Sequence, residues 1–475
     1  MGGKVNYNVQ LAYAFTFFSN ATRGVWSFGV LSGYLYQLTE SNYRVGLAEG
    51  IQGVAQAILA VVAGIQTDSR GAQFVLRISG FCGLLAVAST FFAVLVGGPF
   101  EEYRYELLCG SLCLWGVYQG LWYTSLETIF ADSTKTGERS KLNTNKFILT
   151  LVSGISGPAL AAAIFLIGQD SWSLEALQHV LLLGAGLCAP PAMLLLLFRD
   201  SHKLGRASDS FILAKEGSPA TIPNADDSDA TISRTQHLIL WMMIAGDMVS
   251  GIGSGMTVKF FPLFFKNKVL LSPFQVNGIY MCSPLVMALG SYLAQRLSQV
   301  IGRLQTVFLY CLGGAAALGS ISVLGQYYDW TVWQVYIPVY LMSTAQHCCR
   351  PLKKSVLMDY APRHTRARWN SLDSITRFGW SGSAILGGYL VDKTDYPFTF
   401  LITAILQPAR RHSAPYYRGA PSGGTAIASP APYPATRSQR ALWPARSRRH
   451  SAAAFTVAPS DAGTFMMRPL TPARS

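Results

Sequence analysis

The stretches "QGLWYTSLETIFADSTKTGERSKLN" (residues 119–143) and "QHCCRPLKKSVLMDYAPRHTRARWN" (residues 346–370) decide how this chain folds. Gln119, Asp132, Arg139 and Asn143 recur as Gln346, Asp359, Arg366 and Asn370, in the same order and at one constant offset. That offset also carries Gly24 onto Gly251, Ser27 onto Ser254 and Asn20 onto Asp247. Polar residues at matching points of two long apolar patterns mark a duplicated unit, here of about 200 residues, and predict one pseudo-symmetric object.

Working outward, half of the residues are hydrophobic and only 13% are charged. Runs such as 78–96, 180–198 and 307–325 supply the roughly 18–20 apolar residues needed to cross ~30 Å of hydrocarbon. The pattern predicts an all-α polytopic membrane protein with spans near 9–35, 44–66, 74–97, 106–130, 146–168, 176–198, 237–265, 273–294, 304–325, 332–358 and 370–391. A twelfth run starts at Pro397, lasts about ten residues and reaches roughly halfway through a bilayer. The expected organisation is a six-span half (1–198), a cytoplasmic linker rich in Ser, Asp and Pro (199–236), and a second half (237–407) of five full spans and a partial sixth. An Arg/Ala/Pro/Ser-rich tail (408–475) follows and carries nine of the fourteen net positive charges. Because it interrupts a span that the repeat demands, the tail reads as a replacement of the natural end; the other reading is a basic segment for anionic lipid or nucleic acid.

Loop charge orients the chain, because Lys and Arg resist translocation. Arg70 and Arg77, then Lys135, Arg139, Lys141 and Lys146, then Arg296 and Arg303, then Arg363, Arg366 and Arg368 follow the even-numbered spans. The intervening loops are acidic or nearly neutral, apart from Lys266 and Lys268, so the N-terminus is expected in the cytoplasm. No signal-peptide pattern is visible, and the first span serves as the targeting signal. All eight cysteines fall inside predicted spans, and none has metal-ligand spacing.

These features resemble the major facilitator superfamily over roughly residues 9–407. "GIQTDSRGAQ" (residues 64–73) is similar to the family's loop after span 2, with Gly64, Asp68 and Gly71 in register and arginine moved to Arg70. Its repeat partner keeps Gly302 and Arg303 but has Gln299 at the Asp position. "GVYQG" in span 4 keeps Gln119 and Gly120 of the family pattern but has Gly116 where proton-coupled relatives carry arginine. "SGISGPALAAA" in span 5 is similar to the antiporter-associated motif, and residues 381–390 are its counterpart in span 11. The resemblance implies two six-helix halves related by a pseudo-two-fold axis, with spans 1, 4, 7 and 10 around a central cavity. It further implies a cytoplasmic gate in which Asp68 docks on the start of span 11, where free N–H groups favour a carboxylate.

Ionisable residues inside spans point to a pathway, since each is costly unless it meets water, a partner or the bundle interior. Asn20, Arg23 and Ser27 share one face of span 1, with Asn20 ~16 Å and Arg23 ~21 Å from its start. Arg23 is either a cavity charge or a snorkelling one. Asp247 and Ser254 form the matching face of span 7, ~15 Å deep. Asp247 is the first choice for a proton-binding or solute-contacting carboxylate, the alternative being a structural pair with Arg23. Gln119 and Gln346 complete the cavity set, and Tyr123 belongs to an aromatic group in span 4 suited to stacking or packing. Lys259 reads as snorkelling, and Glu49 and Gln52 as packing contacts. The gate set is Asp68, Arg70, Glu127, Asp132, Arg139, Lys354, Asp359 and Arg366. Glu127 and Lys354 occupy equivalent repeat positions, either as a facing ion pair or as separate interfacial charges.

The expected function is secondary active or facilitative transport of a small organic solute by alternating access, without enzymatic chemistry or a cofactor. No phosphate-binding loop is present. The expected partners are the solute, a coupling proton and the bilayer; nucleic acid is not among them, and a monomer suffices. The alternatives are a transporter-like receptor or scaffold that does not transport, and an inactive truncated product.

Overall fold

Two glycines set the corners of this molecule. α3 (Asn42–Arg70) turns into α4 (Ala72–Leu95) at Gly71, with φ 88° and ψ 155°. α11 (Pro273–Ile301) turns into α12 (Arg303–Leu324) at Gly302, with φ 96° and ψ 153°. That backbone region is open essentially to glycine alone. The same corner built twice, at equivalent places in the two halves, is the duplication expressed in backbone geometry.

The computed structural model describes residues 6–134, 139–204, 234–350, 352, 353, 379 and 382–407. All of them belong to one unit, Met1–Tyr416. The other helices are α1 (Tyr7–Trp26), α2 (Val30–Thr39), α5 (Arg104–Asp132), α6 (Arg139–Ile167), α7 (Leu174–Leu187) and α8 (Ala189–Leu194) in the first half. The second half has α9 (Arg234–Val258), α10 (Phe261–Asn267), α13 (Trp333–Ser343), α14 (Ala384–Lys393) and α15 (Tyr396–Leu406). No strand occurs among the described residues. Among the described residues, seven segments are long and apolar enough to cross a membrane. α1, α5 and α13–α15 are shorter or more polar and pack among them.

Local chemistry explains the helix starts. Asn6 accepts from the N–H of Asn8 at α1, Ser173 from Ala176 at α7, and Asp395 from Phe398 at α15. Ser272 and Gln275 form a reciprocal capping box at α11, with Pro273 in its first turn.

Three expected spans are broken. Span 1 divides at Ser27–Gly29, between α1 and α2, and span 7 divides at Lys259–Phe260, between α9 and α10. Span 6 breaks at Cys188 because Pro190 and Pro191 lack the N–H groups an unbroken helix would use. Span 10 tightens after α13 into a 3-10 turn, Thr344–His347, which carries Gln346.

Rings fill the core. Trp26 packs on Trp115 at 5.0 Å and Phe15 on Trp122 at 4.9 Å, tying α1 to α5. In the second half Phe261 meets Tyr340 at 4.5 Å and Phe400 at 4.6 Å. α3 packs along α5, α1 along α6, and between the halves α6 meets α11 and α3 meets α14.

Candidate functional site

At one face of the bundle, the N-terminal face, the contacts among the described residues join the start of α1, the start of α4, the end of α5 and residues 199–203. Asn8 donates to Ser133 Oγ at 3.0 Å and to the Arg199 carbonyl at 2.9 Å, and Asn6 donates to the His202 carbonyl at 2.7 Å. Asp200 accepts from the Gln73 N–H at 3.2 Å and so caps the start of α4, while its own N–H donates to Gln73 Oε1 at 2.8 Å. Lys203 bridges Asp200 at 2.9 Å and Asp132 at 3.4 Å. Burial alone would lower the Lys203 ammonium pKa, but these two carboxylates outweigh it and hold it above its ordinary value.

The far face is closed by contacts between the halves. Asp392, at the end of α14, accepts four hydrogen bonds around the start of α3. They come from Ser41 Oγ (2.8 Å), the Asn42 N–H (3.0 Å), Asn42 Nδ2 (2.8 Å) and the Tyr43 N–H (2.8 Å). Partial burial pushes this carboxyl up, yet the four donors outweigh it and hold its pKa below the ordinary value. Alongside, Tyr396 OH donates to Asn42 Oδ1 and accepts from Asn267. Trp172 Nε1 donates to the Leu271 carbonyl at 2.8 Å, and Asp170 accepts from the Phe274 N–H at 2.8 Å. Phe28, in the break of span 1, stacks on Tyr280 at 5.7 Å. α3 and α14 come so close that a Cβ on Gly46 would fall on the Ala384 carbonyl, and one on Gly388 would fall on that of Asn42.

Under this seal lies an ion pair: Lys259 Nζ is 2.7 Å from Glu49 Oε2. Glu49 is 3% exposed. Lys259 sits in the break of span 7, which turns it inward, so it does not snorkel as its sequence position predicts. Glu49 Oε1 has no hydrogen-bond partner. Arg23, in α1, has Glu49 and Tyr118 as electrostatic neighbours.

The sequence-selected cavity residues lie on α1, its break, α5, α9 and the 3-10 turn after α13. Asn20 is half-buried and folds back to the Thr16 carbonyl at 2.8 Å. Ser27 is buried in the span 1 break. Gln119 is 2% exposed, and neither of its amide atoms has a partner. Tyr123 is half-buried beside Trp122 at 5.5 Å. Ser254 is buried and accepts from Gln407 Nε2 at 3.4 Å, and Gln346 is buried against Gly314. Asp247 faces Lys353 at 3.7 Å within its own half, the cation next to the one singled out in the sequence.

Of the gate set, Asp68 and Arg70 are exposed, and Arg70 lies over the Phe74 ring at 5.2 Å. Glu127 pairs with Lys146 at 2.7 Å, inside the first half. Asp132 holds Lys203, and Arg139 opens α6. Lys354, Asp359, Arg366 and the start of span 11 lie outside the described residues, as does the tail.

Sequence reasoning missed Glu49 and Lys259 as a pair. The available signal was that Glu49 is an acid within a predicted apolar span, but its partner stands 210 positions away on the other half.

The model of the Major Facilitator Superfamily matches residues 11–339 and 243–406. Solved structures share the fold. The D-xylose–proton symporter superposes with a TM-score of 0.65 at 14% identity, covering 85% of this chain and 96% of that one. The inward-open xylose transporter XylE from E. coli gives 0.62 at 12% identity, covering 87% and 96%. A bacterial homologue of the iron transporter ferroportin, in its inward-facing state, gives 0.60 at 13%, covering 85% and 97%. No curated protein matches by sequence. Two duplicated helical halves, a family match along most of the chain and this shared fold lead to one conclusion: the chain belongs to the Major Facilitator Superfamily and is an integral multi-pass membrane protein.

Proposed function

We propose that this protein moves a small organic solute across its membrane by alternating access, and that the structure is its outward-closed state. The carrying observation is the placement of contacts between the halves. Among the described residues they include the hydrogen bonds of the far face and, beneath them, Glu49–Lys259, at the level where spans 1 and 7 both break, while α6 packs on α11. Discontinuous helices around a polar centre are a recurrent way of building a transport site. Asn20, Arg23, Ser27, Gln119 and Tyr123 from the first half and Asp247, Ser254 and Gln346 from the second are proposed to line the path beneath the seal.

Arg70, Arg77, Arg296 and Arg303 flank the corners at the N-terminal face, which supports placing that face in the cytoplasm. When the far face opens, the N-terminal face must close. Asp68 is proposed to act then, which accords with its exposure in the present state.

For a coupling proton, two carboxylates compete. Asp247 is held by Lys353 of its own half, whereas Glu49 is held by a lysine of the other half. Only a contact that differs between two states can bias them, so Glu49 is the better placed.

The test is reconstitution in lipid vesicles with a solute panel, with and without a pH gradient, combined with thiol labelling of an Asn20→Cys variant freed of its native cysteines. Reaction from either side of the membrane is expected. Labelling from one side only under every condition, with no solute crossing, would replace this reading with that of a receptor or scaffold.

A further inference from the structure

Three cations inside the spans of the described region have direct carboxylate partners: Lys146 with Glu127, Lys259 with Glu49 and Lys353 with Asp247. Arg23 makes no direct ion pair or hydrogen bond among the described residues, and its Nε is buried without a partner. Its carboxylate neighbour, Glu49, is already engaged by Lys259. The three residues therefore carry two positive charges and one negative, which leaves one positive charge uncompensated below the seal. Inside a membrane protein such a charge marks a site for a counter-charge.

A second observation points to the same place. Gln119 is 2% exposed and both atoms of its amide lack partners, as does the indole nitrogen of Trp122. Buried polar groups are nearly always satisfied, so orphans in a cluster call for an absent partner. The antiparallel register of α1 on α5, fixed by Trp26 against Trp115 and Phe15 against Trp122, puts Gln119 within about one turn of Arg23. Tyr118, an electrostatic neighbour of Arg23, belongs to the same patch.

We infer that the transported solute carries a single carboxylate, received by Arg23 with Gln119 beside it; the inference rests on the transporter reading above. A guanidinium presents a planar fork that matches a carboxylate through two parallel hydrogen bonds. One uncompensated charge calls for a monoanion, which disfavours a phosphate dianion. The rings of Trp122 and Tyr118 give an organic body apolar surface. Glu49 gains a role here: with the far face open it loses Lys259, and Arg23 of its own half becomes its remaining counter-charge. An incoming carboxylate takes Arg23 and frees Glu49 for Lys259, so that binding favours closure.

The experiment uses the full chain, purified and reconstituted, with benzoate, lactate, inorganic phosphate and the neutral analogue benzyl alcohol as probes of thermal stability and binding. Benzoate or lactate should bind and benzyl alcohol should not. Arg23→Gln should lose at least tenfold in affinity, with Arg23→Lys intermediate, since it keeps the charge without the fork. Glu49→Gln should bind the carboxylate several-fold more tightly, because the competing acid is gone; a purely structural Arg23–Glu49 pair would predict no such gain. Equal binding of the neutral analogue, unchanged affinity in Arg23→Gln, or a response to phosphate alone would each overturn the inference. Labelling of Asn20→Cys is run in parallel: two-sided reaction with no anion response removes only the carboxylate, whereas one-sided reaction removes the transporter reading itself.

Discussion

The two faces of this bundle are held by different kinds of contact. At the N-terminal face, Asn6 and Asn8 bind Ser133 and the Arg199 and His202 carbonyls, and Lys203 bridges Asp132 and Asp200, without a residue of the second half among those partners. At the far face, Asp392 on α14 and Lys259 between α9 and α10 reach across to α3. Contacts inside a half travel with it and stabilise the fold equally in any state. Contacts between halves exist in one state only, and their free energy sets its population. The same hydrogen-bond chemistry is therefore structural on one side and conformational on the other.

The strongest way to break this comparison is at the buried pair. Lys259→Ala removes the direct partner of Glu49, leaves only the more distant Arg23 as its counter-charge, and should cost up to about 3 kcal/mol, the lower end for a broken buried pair. The melting temperature should fall, and most of the loss should return in the Lys259→Ala/Glu49→Gln double variant. If the double variant is no better than the single, the pair is not where the energy lies.

Next comes the α3–α14 crossing. Gly46→Trp leaves no room for the far face to shut, and overpacking of this kind costs about 1–3 kcal/mol. Since 1.4 kcal/mol is tenfold, labelling of Asn20→Cys from the far side should rise on the order of ten- to hundredfold, with solute flux lost.

Asp392→Asn removes the acceptor charge at the start of α3, worth roughly 1 kcal/mol by analogy with other caps. Far-side labelling should rise several-fold. The Asp392 pKa is depressed in the closed state, so its contribution is present above the ordinary Asp pKa near ~3.9 and is lost as pH falls through the lower closed-state value. Between pH 5 and 8 the variant should shift the labelling without altering its pH dependence. A changed profile in that window would mean that Asp392 titrates differently from its surroundings.

The smallest expected effect sharpens the contrast. Asp200→Ala removes a cap of similar chemistry at the other face, again roughly 1 kcal/mol. It should lower the melting temperature and leave the labelling ratio unmoved. A shift in labelling would show that the N-terminal network also responds to the state of the bundle.

Much of this architecture is legible in sequence because it rests on periodic burial and on a repeat. Long apolar runs fix the helices, and Gly71 and Gly302 stand where the loops turn. Arg23 stands out by depth alone, since a cation ~21 Å along a span has no ordinary exit. What sequence does not reveal is pairing across distance. Glu49 has no neighbour in sequence that names Lys259, and Glu127 has none that names Lys146 of the adjacent helix. The break at Ser27–Gly29 also escapes a hydropathy reading, because the apolar pattern runs on through it into Val30 and Leu31. Breaks depend on backbone partners supplied by neighbouring helices, and hydropathy carries no record of those.

The corner glycines have a consequence for how the two copies age. After a gene segment doubles, each copy accumulates changes on its own, and here Gln299 stands in the second copy where Asp68 stands in the first. Gly71 and Gly302 have no such liberty, because their backbone shape admits no other side chain without strain. Among the signature positions, the ones without a side chain are the fossils of the ancestral half, and the charged ones are its variable ornament.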